Sequence, residues 1–173
     1  YNANLPRLTD LHTDLAQDLR LYGRYRALAA APGFAASDPA QRRAMENELR
    51  DFRLAGAELP AAKQTELKTI NKQLSTLQTK FTQQLLAAAK AGALHVNDAS
   101  ALAGLSQEQI ASAQQAAKDR KVAGYVLPLQ NTTQQPSIDS LTSHATRQQL
   151  FEASLNRAEH GDANDTRATI SEI

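Results

Sequence analysis

The 173-residue chain contains no cysteine, which excludes disulfides, thiolate metal sites and a cysteine nucleophile but leaves the compartment open. Tryptophan is also absent, and Met45 is the only methionine. Seven glycines and six prolines leave little material for a loop-rich fold. No apolar run approaches the roughly 18 residues of a membrane span; Leu85 to Ala89, at five residues as long as any, is a helix face. The formal net charge of +1 provides no global attraction to nucleic acid or to a membrane surface. The short basic pieces Arg42-Arg43 and Lys118 to Lys121 lack interleaved aromatics and read as solvated helix surface.

What is abundant is helix-forming sequence, with 32 alanines and 16 glutamines. Leu5, Leu8, Leu11, Leu15, Leu19, Tyr22, Tyr25 and Leu28 recur at three- and four-residue steps, which predicts one continuous helix ending at Pro32-Gly33. Ser37-Asp38-Pro39 with Gln41 predicts a capping box and a second helix with the face Met45, Leu49, Phe52 and Ala55, stopped at Gly56. From Pro60 a third stripe, Leu67, Ile70, Leu74, Leu77, Phe81, Leu85 and Ala88, runs to Gly92. Short connections of this kind join antiparallel neighbours.

Beyond Gly92 two short strands are expected, near 94–96 and 125–127, pairing as a small ribbon with helices behind it. Ser106 and Gln109 form a second capping box that starts a helix to about Lys121. Asn131 to Ser137 reads as a polar turn, and helical pattern returns with Leu141, Leu150, Phe151 and Leu155. Asp162 is expected to cap a last helix, with Asp165 near its third position. The expected class is therefore mainly α: an antiparallel helical bundle with a short two-stranded β ribbon. A single domain is expected, divided into a three-helix region (1–92), a ribbon with a helix (93–136) and further helices (137–173). The chain starts at Tyr1, without Met, and stops at Ile173 inside a helical pattern. It is therefore expected to be a piece of a longer polypeptide, with Ile170 and Ile173 exposed beside the cut.

No catalytic, cofactor-binding or metal-ligating site is recognisable among the residues. The histidines His12, His95, His144 and His160 are too far apart in sequence to share a helix turn, and no His-Glu-x-x-His occurs. Glu159, Asp162, Asn164 and Asp165 suggest calcium, but an EF-hand loop counted from Asp162 would require Gly at Arg167 and Glu at Ile173. Helix capping accounts for them better. Neither a Gly-x-Ser-x-Gly elbow nor a glycine-rich phosphate loop is present. Arg50-Asp51-Phe52-Arg53 could clamp a carboxylate, although a helix–helix salt-bridge network is the favoured reading.

The run Arg50-Asp51-Phe52-Arg53-Leu54-Ala55-Gly56-Ala57-Glu58-Leu59-Pro60, continued through Leu67, Asn71, Leu74, Leu77, Phe81 and Leu85, resembles a known family. It is similar to the N-terminal helical region of the thimet oligopeptidase-like zinc metallopeptidases, which include oligopeptidase A and the bacterial peptidyl-dipeptidases. Val96-Asn97-Asp98 and Leu102-Ala103-Gly104-Leu105 fit as well. Two further runs point to the peptidyl-dipeptidase branch: Leu127-Pro128-Leu129-Gln130-Asn131-Thr132-Thr133-Gln134-Gln135-Pro136, and Asn156-Arg157-Ala158-Glu159 continuing through Asp162-Ala163-Asn164-Asp165-Thr166-Arg167. The resemblance implies a zinc-dependent parent enzyme acting on short peptides, with this region forming part of the wall of the substrate channel. The zinc-binding His-Glu-x-x-His and its downstream glutamate are absent from these residues, so no catalytic residue is carried over and the isolated chain is expected to be inactive. The remaining catalytic part of the same chain is the implied partner; no nucleic acid and no membrane are. Relatives of this branch occur in both cytoplasm and periplasm, so localisation stays open. An oligopeptidase A-like endopeptidase and a free-standing helical interaction module are the alternatives.

Overall fold

The structure, a computed structural model, describes residues 3–173. Among the described residues the regular structure is eight α-helices, two short 3-10 helices and one two-stranded antiparallel ribbon, the mainly α class expected from composition and periodicity. The chain divides into two compact units, residues 1–79 and 80–173.

The first unit departs from the sequence reading at its start. Two helices, α1 (Leu5–Ala16) and α2 (Leu19–Ala29), replace the single long helix. Asp18 causes the break: its backbone is extended, and its carboxylate accepts hydrogen bonds from the backbone N–H of Arg20 at 2.8 Å and of Leu21 at 3.2 Å. Those groups would otherwise be the orphan donors of a new helix, and Asp is among the best residues for satisfying them. The leucine period runs on across the break and conceals it.

Helix α3 (Pro39–Leu54) begins where expected. Asp38 accepts from the Ala40 N–H at 2.8 Å, and the Gln41 side chain closes the capping box on the Asp38 N–H. Replacing Asp38 by Ala should destabilise the first unit by about 1 kcal/mol, the usual cost of losing a cap, as a lower urea midpoint. Gly56, at φ +91°, ends the helical path, a backbone conformation open to glycine. Phe52 then packs on Tyr22 and Ala57 in a small core, with ring centroids of Phe52 lying 5.6 Å from those of both Tyr22 and Tyr25. The adjacent Gly23 lies mid-helix in α2 with open space where a Cβ would go. Gly23→Ala should therefore stabilise by about 0.5–1 kcal/mol, read as a raised thermal midpoint.

Helix α4 (Ala61–Ala91) is the long third helix. Its first half pairs antiparallel with α1 through polar groups: Lys72 with Asp10 at 3.2 Å, Lys68 with Asp14 at 2.6 Å, and the Thr9 hydroxyl with Ser75 at 3.0 Å.

In the second unit, β1 (Leu94–Val96) and β2 (Tyr125–Leu127) pair antiparallel in the register Leu94 to Leu127, His95 to Val126 and Val96 to Tyr125. Helix α5 (Gln107–Asp119) starts at the expected Ser106–Gln109 capping box and packs against β2. The polar stretch read as a turn is instead helix α6 (Asn131–Ser140), which carries Pro136 in its interior. Pro136 has no N–H to offer the Thr132 carbonyl, but Gln134 and Ser137 are buried, and Ile138 and Leu141 pack on the core. Packing outweighs weak propensity and a missing bond. Helix α7 (His144–Leu155) is capped by Ser143 and brings Leu150 fully inside, against a core that includes Leu102, Leu127 and Leu141.

The C-terminal helix α8 (Arg167–Glu172) starts later than expected, because Thr166 and not Asp162 is its cap position. Asp162 instead closes a turn by accepting from the Asn164 N–H at 2.8 Å. Ile170 and Ile173 are half exposed, as the reading of this end predicted.

Candidate functional site

The residues singled out for chemistry are scattered. Among the described residues no three His, Cys, Asp or Glu side chains gather to hold a metal ion. His12 lies on α1, His95 on β1 with Nε2 against the Ala123 carbonyl, His144 opens α7 and His160 sits in the loop before α8.

The acidic loop before α8 is a structural knot. Asp165 accepts hydrogen bonds from the Gly161 N–H at 2.8 Å and the Arg167 N–H at 3.0 Å, and its carboxylate grips the Arg167 guanidinium. The Arg167 side-chain hydrogen bonds and then these backbone donors hold the Asp165 carboxyl well below the ordinary carboxylate range. Because the folded group resists protonation more than the unfolded one, the stabilisation is fully present above 3.8, the ordinary value. It is lost as pH falls through that value and below it. Acid unfolding followed between about pH 5 and about pH 2 should thus be shallower for Asp165→Asn than for the natural chain, the variant being already weaker at neutral pH.

Arg50 and Asp51 form an exposed pair at 3.1 Å within α3. They do not link helices, so the network expected at this motif is not formed by this pair. Nearby, the Tyr22 hydroxyl donates to the Glu58 carboxylate, which together with burial raises the tyrosine's pKa, as both favour the neutral phenol. That bond ties α2 to the turn after α3.

Each unit also carries a concavity. In the second unit, α5, β2 and α6 enclose a cavity of about 220 Å³ whose wall includes Glu108, Ser112, Pro128, Thr133 and Ser137. Its wall holds one carboxylate, Glu108, and several hydroxyls, with neither histidine nor lysine among the lining residues. In the first unit an apolar groove of about 430 Å³ runs between Leu15, Leu21, Tyr25 and Phe52, with Glu48 and Asp51 at its edge. Sequence periodicity placed Leu15 and Tyr25 on one apolar stripe and Phe52 on another, left out Leu21, and gave no sign of the groove.

Comparison with known proteins gives the chain its family. No family model matches the chain. It is 40% identical over 167 residues to dipeptidyl carboxypeptidase of Escherichia coli (strain K12), covering 96% of this chain and 24% of the relative. Identity to the dipeptidyl carboxypeptidase of Salmonella typhimurium (strain LT2) is 47% over 123 residues, covering 70% of this chain and 18% of that protein. Oligopeptidase A of Escherichia coli (strain K12) is 32% identical over 158 residues, covering 91% and 23%. The chain spans about a quarter of the length of the curated relatives it matches over most of its residues. Such identity over nearly every residue means that the chain belongs to the family of dipeptidyl carboxypeptidase and oligopeptidase A.

Proposed function

We propose that residues 1–173 are the non-catalytic N-terminal helical part of a zinc-dependent peptidyl-dipeptidase, which removes C-terminal dipeptides from short peptides. The observation that carries this reading is the 40% identity over 96% of the chain to a protein of which the match covers 24%. In the parent enzyme these helices form part of the wall of a channel that admits short, unfolded peptides. Zinc and its ligands belong to the remaining part of the parent polypeptide. The higher identity to dipeptidyl carboxypeptidase than to oligopeptidase A favours exopeptidase over endopeptidase action.

The test has two steps. The parent reading frame is expressed whole, and its hydrolysis of a short peptide is followed with and without a chelator. Chelator-sensitive release of C-terminal dipeptides is expected, with no turnover by residues 1–173 alone. Cleavage of a peptide whose C-terminus is blocked would instead identify an oligopeptidase A-like endopeptidase. Turnover by the isolated 173 residues would refute the non-catalytic assignment.

A further inference from the structure

Helix α1 is attached by the side that its sequence would place in water. Thr9, Asp10 and Asp14 make its bonds to Ser75, Lys72 and Lys68 of α4, and Thr13 is its one buried residue, 7% exposed. At 100° per residue, Leu8, Leu11 and Leu15 project from the opposite side of the helix. They are 42%, 60% and 56% exposed. An amphipathic helix normally buries its apolar stripe. Here the ion pairs that hold the polar side are exposed and individually weak, so the leucine face is left unpartnered in an arrangement that specific polar bonds select.

The leucine face leads into a shaped recess. Leu15 forms one wall of the groove that also contains Leu21, Tyr25 and Phe52, and Glu48 and Asp51 edge it. Asp51 is held by Arg50 on its own helix, while Glu48 has no ion-pair partner among the described residues. An occupant must therefore offer apolar side chains at helical spacing to the leucines and a cation to the carboxylate edge. From Leu8 to Leu15 the stripe is about 10 Å long, two turns of a docked helix.

We propose that the outward face of α1 and the groove beside it dock an amphipathic helix whose apolar stripe is flanked by Lys or Arg. Its source is the parent polypeptide outside residues 1–173. The proposal rests on the reading of this chain as part of a larger peptidase, and it adds which surface the rest of the molecule covers and with what chemistry.

Because the 173 residues contain no cysteine, Leu11→Cys and Leu15→Cys introduce single reporters here. Alkylation of each is located by peptide mass spectrometry in the 173-residue chain and in the whole parent, and normalised to the rate in urea. Labelling should slow by at least about tenfold in the parent, the protection expected of a buried contact, and Glu48→Lys should recover part of the rate. Hydroxyl-radical footprinting of Leu11 and Leu15 in the unsubstituted proteins provides the same comparison without a substitution. Equal accessibility in the two proteins overturns the proposal, as does a reading frame with nothing outside these residues. Protection that appears in the short chain alone and grows with its concentration also overturns it, since a second copy would then be the occupant. Peptidase activity is assayed on the same parent preparation. An active parent with an open leucine face refutes the docking alone, whereas a covered face in an inactive parent refutes the functional reading alone.

Discussion

Gly104→Ala is expected to be among the most damaging single-methyl additions in this protein, costing upward of about 3 kcal/mol or abolishing soluble expression. Gly104 has φ +98°, and a Cβ built there would lie 2.1 Å from the Ser140 carbonyl oxygen and 2.9 Å from the Thr142 nitrogen. Both obstacles are backbone atoms, so no side-chain rotation relieves the clash. The same backbone is fixed in place from the other side, because the Thr142 N–H donates to the Ala103 carbonyl at 2.9 Å and its hydroxyl does so at 3.1 Å. Moving the segment would break those bonds and lift Leu141 from the core. Gly161→Ala is the control: it also has positive φ, +71°, but meets nothing within 4 Å. It should cost only about 1 kcal/mol, the conformational part alone. Urea titrations of the two variants separate steric from backbone effects, and equal losses would contradict the close approach at Gly104.

Leu150→Ala should lower stability by about 2–5 kcal/mol. Leu150 has no exposed surface and lies in the cluster with Leu102, Leu105, Leu127 and Leu141, where ribbon, α5 and α7 meet. Truncation removes its transfer free energy and leaves a cavity whose walls are held by separate elements and relax only in part. Leu155, on the same helix, is 63% exposed, and its replacement by Ala should stay within about 0.5 kcal/mol. Hydrogen exchange of the β1 and β2 amides distinguishes these cases. Loss of protection in the Leu150 variant with none in the Leu155 variant is the expected pattern.

Local chemistry was the part of this fold most legible in the residues. Two capping boxes, at Asp38–Gln41 and Ser106–Gln109, start helices where the spacing says, and the strands at 94–96 and 125–127 pair as expected. Each rests on interactions within a few residues, or on a β-compatible run that a turn delimits. The errors have a common form. Asp18 splits a leucine period that reads as continuous, Pro136 sits inside a helix that reads as a turn, and Asp162 yields the cap position of α8 to Thr166. In the first case a strong local cap was outvoted by periodicity; in the second, burial of Gln134, Ser137 and Leu141 decided against propensity.

The mainly helical class, the ribbon, several element boundaries and the family relationship follow from the residues alone, because they depend on short-range bonding and residue identity. Which face of each helix is used is settled by packing in three dimensions. Leu11 and Leu15 belong to the same apolar period as Tyr22, yet they face outward while Thr13 and Tyr22 are buried. Periodicity reports that a helix has an apolar side; it carries no information about whether a neighbour is present to cover it. The polar bonds from Thr9, Asp10 and Asp14 to α4 turn that side away, and the candidate site exists because of that turn.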